Sequence, residues 1–486
     1  MLACQQDTCC FRHRPSEVKH LAAVLTHSDA HPAAVARVNY DRLVQDTIAI
    51  AQNNIPSFKM PEVHMTVWGL ARLSYPLERI PTPWLDAMAQ RALQRLRELP
   101  PVDCMHLSNL LWAYAKLGYN PLGGELMKAA FDVAPSRMSD MSAQNLCNLI
   151  WAPVTLDIAA DLDPGLWDAV AGHAVLRMPQ MSGQGISNLL WAFGKMGHRP
   201  AHPDFFYVAL ARISELMSGS MTCLQMALSL WALATLEHKP TPRFTEQFAS
   251  AFLERLQGKE QRPPPQSLSL MLWSCAKLGI NPRSGHFITT ILLQAAGCLD
   301  RFAPRELANT LWALGTLRQL YRPDELRLDP LNGRLYEEVM RMLVNGLQHR
   351  AVGHLNHLAA ATMACGSMQH PIKPILAPLI INAACRDSGP ADGRHVCNIV
   401  WGLAALGQLT PEDLQRACTT LTRVVPDMST LDFRELRQLQ QADMLLKASQ
   451  ATGWIDLRKG PSFLSPRLAE LAYALPVQEV TEGPSK

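Results

Sequence analysis

Tryptophan returns along this chain at a nearly constant interval, each time inside a stretch like NLLWAYAKLG, the run that starts at Asn109. The positions are Trp68, Trp112, Trp151, Trp191, Trp231, Trp273, Trp312 and Trp401. A ninth copy, NHLAAATMACG from Asn356, carries Ala359 in the tryptophan slot. The intervals run from 39 to 47 residues, with a mean of about 42. Aligned copies at such a spacing mark a repeat architecture, in which one unit is too small to bury its own apolar face and must stack on its neighbours.

Each unit reads as two helices. Counting from tryptophan as zero, position −9 is Asp103, Ser142, Ser182, Thr222 or Asp392, all side chains that accept from a free backbone N–H at a helix start. In two other copies Pro265 and Pro304 stand at −8, the first helical position, where a missing N–H costs nothing. Gly118, Gly197, Gly279 and Gly407 stand at +6, where a left-handed residue ends a helix. The spacing predicts a tryptophan helix of about fourteen residues. The other helix of a unit opens with Thr82-Pro83, Asp163-Pro164, Thr241-Pro242 or Thr410-Pro411, each a cap followed by a first-turn proline. Runs such as FTEQFASAFLERL, from Phe244, place apolar residues at helical spacing, and no period-two strand or Asn-Gly hairpin interrupts them.

The fold expected is all-α: an α-solenoid, a right-handed superhelix of about nine helix-turn-helix repeats. It spans residues 40–425, between an N-terminal extension (1–39) and a C-terminal helical cap (426–486). Composition agrees: 48% hydrophobic and 18% charged residues over 486 positions describe a folded chain. The net charge of +3 is too mild for a polybasic binder relying on bulk electrostatics. The most apolar run, Lys373–Cys385, is short and broken by Pro374 and Pro378, so no membrane insertion is expected. Twelve cysteines form no CxxC pair and sit mostly in apolar helical contexts, which points to a reducing compartment without disulfides. Cys9, Cys10 and His13 could be a metal fragment or simply part of an unstructured N-terminus. Arg12, Arg14 and Arg37 fit an organelle transit peptide, whereas Asp7, Glu17, Asp29 and Asp41 do not.

On a helical wheel the copy around Trp112 has a broad apolar side made of Leu107, Leu110, Leu111, Tyr114 and Leu117. Trp112 lies opposite it, between Asn109 and Lys116. Asparagine recurs at −3 (Asn109, Asn148, Asn188, Asn309, Asn356 and Asn398), and a base recurs at +4 (Arg72, Lys116, Lys195 and Lys277). An amide, an aromatic ring and often a cation thus share one stripe. Two readings are open for it. The tryptophans serve as anchors between repeats and the asparagines as ladders tying one unit to the next; or the stripe faces a ligand, the amide pairing with a base edge and the cation with a phosphate. Chemistry leaves no trace: there is no GxSxG, Walker-type loop, HExxH or zinc spacing of cysteines. The His27–His31 and His354–His357 pairs carry no accompanying carboxylate motif. No catalytic residue, metal ligand or cofactor is expected, and the chain does not read as an enzyme.

NLLWAYAKLGYNP (from Asn109), NLLWAFGKMGHRP (from Asn188), MLWSCAKLGINP (from Met271) and NTLWALGTL (from Asn309) resemble the octotricopeptide repeat. That unit has two helices, the second with an LANxLWALAKLG-like core, and is similar to the leucine-rich region of FAST-kinase-domain proteins. The resemblance covers most of residues 60–410. It departs from the family pattern at Ala359, and at +4 in five copies, where Thr155, Thr235, Thr316, Met363 and Ala405 stand. Many relatives end in a RAP domain; residues 431–472 resemble the helical segment that often precedes it, and with Lys486 as the last residue the module itself is not expected.

The resemblance implies an organellar binder of single-stranded RNA, in the chloroplast stroma or mitochondrial matrix. Such a protein acts in transcript stability, processing, splicing or translation by occupancy, alone or with other RNA-processing proteins in a ribonucleoprotein complex. The candidate RNA contacts are Arg72, Asn109, Lys116, Asn148, Asn188, Lys195, Lys277, Asn309 and Asn398, with the eight tryptophans as repeat anchors. The alternative is an armadillo- or HEAT-like protein-interaction scaffold, including a subunit of an RNA-processing or RNA-editing complex. A continuous basic strip would favour RNA; a neutral or acidic groove would favour peptide.

Overall fold

A computed structural model describes residues 40–98, 103–258, 263–283, 286–321, 354–367, 369, 372–387, 393–425, 427, 430–450 and 461–474. The N-terminal extension with Cys9, Cys10 and His13, the His27–His31 pair and the cap expected at Asp392 lie outside them. Among the described residues there are helices and turns and no strand. The chain divides into two compact units, Met1–Met221 and Thr222–Lys486.

The first unit contains α1 (Tyr40–Asn54), α2 (Met60–Arg72), α3 (Thr82–Leu96), α4 (Cys104–Leu117), α5 (Glu125–Val133), α6 (Ala143–Thr155), α7 (Pro164–Arg177), α8 (Gly183–Met196) and α9 (Phe205–Leu216). The tryptophan helices α2, α4, α6 and α8 pack one on the next in a single layer. A second layer lies against them, with α3 packed on α5 and α7 on α9. The second unit contains α10 (Cys223–Thr235), α11 (Pro242–Gln257), α12 (Pro265–Leu278), α13 (Phe287–Ala296), α14 (Pro304–Leu320), α15 (His354–Ser367), α16 (Ala377–Asp387), α17 (Gly393–Ala405), α18 (Pro411–Val424), α19 (Phe433–Gln450) and α20 (Pro466–Tyr473). Here the layer runs α10, α12, α14, α15, α17 and then α19. Both units are all-α solenoid.

Local chemistry sets the helix ends. Asp103, Ser142, Ser182 and Thr222 each accept a backbone N–H in the first turn of the helix that follows. Gly118, Gly197, Gly279 and Gly407 take φ between 58° and 72° at the C-terminal ends. Where glycine is missing from that slot, Ser74, Asp157 and Glu237 adopt φ of 50°, 60° and 54°, so the left-handed stop persists at a conformational cost. Asp163, Thr241 and Thr410 cap the other class of helix as predicted. At Thr82 the helix starts one residue earlier, on Thr82 itself.

Three devices join successive repeats. The first is apolar: Leu110, Leu111, Tyr114, Leu189, Leu190 and Phe193 are fully buried between the layers, each such side chain contributing roughly 2 kcal/mol of transfer free energy. Tyr114 also donates its hydroxyl to the Leu85 carbonyl at 2.8 Å, and burial pushes that phenol well above its usual range. In the second device, an acid early in the outer helix clamps the loop after the next tryptophan helix. Asp86 accepts from Leu122 N at 3.0 Å, Asp168 from Ala201 N at 3.0 Å and Glu246 from Arg283 N at 2.9 Å. The third is an arginine on the outer helix donating to a carbonyl one repeat back: Arg91 to Phe58, Arg177 to Met141, Arg212 to Met181 and Arg423 to Cys385.

Candidate functional site

Position zero of the wheel faces away from the outer layer. All eight repeat tryptophans are half-buried. Neighbouring rings approach each other, Trp112 and Trp151 with centroids 6.2 Å apart and Trp273 and Trp312 at 5.6 Å, tilted by 32° and 33°. At Ala359 the slot is fully buried, and within two turns of it α15 and α17 approach closely. A Cβ built on Gly402, just after Trp401, would lie 2.5 Å from the Thr362 carbonyl oxygen, and one on Gly366 would lie 2.9 Å from the Gly402 Cα.

The asparagines at −3 differ among themselves. Asn148 is buried and engaged at both ends: its Nδ2 donates to Asn109 Oδ1 at 2.8 Å, and its Oδ1 accepts from Gln144 Nε2 at 2.8 Å. Asn188 and Asn309 lie half-buried on the stripe, and Asn356 is exposed. Asn398 accepts from Gln438 Nε2 at 2.8 Å, and beside it Trp401 Nε1 donates to Gln441 Oε1 at 2.8 Å. Gln438 and Gln441 stand 40 residues beyond Asn398 and Trp401. Helix α19 therefore continues the tryptophan layer as a further repeat, with glutamines in the asparagine and tryptophan slots. Sequence reasoning missed it because both identifying residues are replaced.

The cations at +4 are exposed: Arg72, Lys116, Lys195 and Lys277. The Arg72 guanidinium lies 5.8 Å from the Trp68 ring centroid, and Lys195 stands 3.9 Å from Asp157 of the preceding repeat. Position −7 belongs to the same stripe, since seven residues back at ~100° per residue is within about 20° of tryptophan. That position holds Pro61, Met105, Gln144, Gln184, Leu224 and Gln266, then Arg305, Arg394 and Arg434; the three glutamines and the three arginines are exposed. Over the described slots −7, −3, 0 and +4 there are seven Lys or Arg and no Asp or Glu. The closest carboxylates belong to neighbouring slots: Asp157 at Lys195, and Glu435, largely buried, 3.7 Å from Arg394.

Between α2 and α4, His64 and His106 face each other with Nδ1 atoms 3.1 Å apart, one ring donating to the other. Burial, reinforced by the neighbouring His106, pushes the His64 imidazole down to about 4. Among the described residues no group of three or more His, Cys, Asp or Glu could hold a metal ion. None of their helices is long and apolar enough to cross a membrane. Cys147 and Cys275 are buried thiols, pushed up to about 12 and above by burial, which suits packing and not nucleophilic chemistry.

No protein-family model and no curated protein matches the sequence. Among solved structures the chain is similar to a homology model of the full-length AP-3 complex in an intermediate open conformation. Identity is 11% and the TM-score 0.25, over 95% of this chain and 90% of that one, a likeness too slight to carry an argument.

Proposed function

We propose that this protein binds single-stranded RNA along its tryptophan stripe and acts by occupancy, any chemistry being supplied by partners. The observation that carries this reading is the sorting of charge. A chain with 45 basic and 42 acidic residues keeps its acids out of every described stripe slot and places seven bases there. Half-exposed indole rings beside those cations suit a strand whose bases stack and whose phosphates are neutralised. Asn148, engaged within the ladder, is available neither to a base edge nor to a peptide backbone, whereas Asn188 and Asn309 lie half-buried on the stripe. The resemblance of the repeat core to octotricopeptide repeats supports the same reading, and with it the proposal of a role in a chloroplast or mitochondrion, in transcript stability, processing, splicing or translation.

Selection from a random single-stranded RNA pool tests the proposal, at near-physiological salt because weak phosphate contacts inflate binding at low salt. An enriched motif is the expected outcome, with Asn188→Ala and Lys195→Ala weakening its binding. Background binding alone, abolished by moderate salt, would sink the sequence-reading function and favour a protein-interaction scaffold.

A further inference from the structure

Within the second unit the basic row changes edge. Lys277 lies at +4, in the last turn of α12. In every later copy the +4 slot is uncharged (Thr316, Met363, Ala405 and, in α19, Leu445), and in three of these four copies a cation stands at −7 instead, as Arg305, Arg394 and Arg434; the Ala359 copy has none at either position. Each of these arginines is the second residue of its helix, α14, α17 and α19 respectively. A base in the last turn is already favoured by the helix dipole, so Lys277 needs no further reason; a base in the first turn is disfavoured by it. Helix stability therefore does not account for the three arginines. Nor do the acids beside two of them in sequence. Glu306 is turned back to accept from Ala303 N at 2.7 Å and Glu435 from Asp432 N at 2.8 Å, so both serve as caps. Glu435 also approaches Arg394 at 3.7 Å, yet that arginine side chain stays 68% exposed.

We infer that the phosphate backbone of a bound single strand crosses the tryptophan row between Trp273 and Trp312, entering beside Lys277 at the C-terminal edge and leaving along Arg305, Arg394 and Arg434 at the N-terminal edge. This rests on the RNA-binding reading and adds a path to it. Eleven residues of helix and one helix-to-helix step separate the two edges, roughly 20 Å, a distance that several nucleotides span. The crossing passes over the Trp273–Trp312 ring pair, where bases would stack. Beyond it the strand meets Asn309, Asn398 and the Gln438–Gln441 pair, which makes α19 the end of the binding face.

The test is the salt dependence of binding to a fluorescent random-sequence single-stranded RNA 20-mer, for the full chain and three variants. Variant one is Arg305→Gln with Arg394→Gln and Arg434→Gln. Variant two adds Thr316→Lys and Ala405→Lys to it, returning charge to the other edge of the same helices. Variant three is Lys116→Gln with Lys195→Gln, in the first unit. Loss of three phosphate contacts lowers the slope of log affinity against log salt by about 2, and weakens binding at least tenfold at low salt. The crossing requires that variant two recover little of this. Full recovery in variant two, or no change in variant one while variant three weakens binding, would overturn the path and leave RNA binding standing. No salt-resistant binding by the unaltered chain would remove the RNA reading itself, and the path with it. Circular dichroism melts of all variants separate these outcomes from misfolding, and none of the substituted side chains is buried.

Discussion

Asn148 donates from Nδ2 to Oδ1 of Asn109, 39 residues earlier, at 2.8 Å, and this one bond decides how the two amides can be used. Asn148 is buried and also accepts from Gln144, so its role is to join α4 to α6. Asn109 is half-buried on the solvent side of the same bond. Asn148→Ala is expected to destabilise the first unit by about 1–3 kcal/mol, because it leaves an amide of Asn109 and one of Gln144 without their partner. Asn188→Ala, with no such bond at its side chain, should cost less than about 1 kcal/mol. Urea unfolding of the two variants checks the ranking; equal costs would remove the ladder as the reason for Asn148.

The His64–His106 contact makes stability depend on acid. The folded value of His64, about 4, lies below the ordinary 6.5 because burial disfavours the cation. Between those values the unfolded chain takes up the proton and the folded chain does not, so the stabilisation is present above pH 6.5 and is lost as pH falls toward 4. A shift of this size corresponds to something on the order of 3 kcal/mol at pH 4. The measurement is the difference in unfolding free energy between the parent chain and His64→Leu at pH 7 and at pH 4.5. The parent should lose more stability on acidification than the variant. Parallel losses would mean that His64 titrates normally.

At the C-terminal end, α19 and α20 are held by a buried ionic network. Lys447 Nζ lies 3.0 Å from Asp443 Oδ2, both side chains almost wholly buried. Tyr473 donates to that carboxylate at 2.6 Å, and Phe463 N donates to its other oxygen at 2.7 Å. Asp443 thus fastens the segment 461–474 to the repeat layer. Lys447→Met leaves a buried carboxylate without its counter-charge and should cost about 3–5 kcal/mol. Asp443→Leu with Lys447→Met removes both charges and should recover part of that loss. Hydrogen exchange in α20 is the local readout. Faster exchange there, with α17 unchanged, is the expected pattern.

Much of this was legible in the sequence because it is written in local chemistry. The tryptophan interval, the caps at Asp103, Ser142, Ser182 and Thr222, and the glycines at +6 each act within one turn of their own helix. What joins one repeat to the next was legible only in part: the asparagine ladder, seen at Asn109 and Asn148, was one of the two readings open for the stripe, but the contacts of the outer helices were not legible. The Asp86, Asp168 and Glu246 clamps and the Arg177 and Arg212 ties lie on helices without a shared sequence core, and their partners are backbone atoms 31 to 37 residues away. Helix α19 hid because glutamine replaces both the asparagine and the tryptophan. The arginines at −7 are separated from tryptophan by two helical turns, so they join the stripe only when the helix is known to be continuous.

The slot at Ala359 carries the last prediction. In eight other copies the stripe residue is a half-buried indole; here α15 and α17 close until Gly402 meets the Thr362 carbonyl. The two features depend on each other, since a large residue at either site would force the helices open. Gly402→Ala places a Cβ 2.5 Å from that carbonyl oxygen, against backbone that cannot rotate away, and should destabilise the second unit by about 1–3 kcal/mol. Ala359→Trp restores the repeat consensus and should nevertheless destabilise by a similar amount, through overpacking. If close approach is the common cause, the double variant costs less than the sum of the two, because helices already parted by tryptophan have room for the methyl group. Thermal melts of the three variants decide it: strict additivity would mean that the alanine in the tryptophan slot and the glycine contact are unrelated.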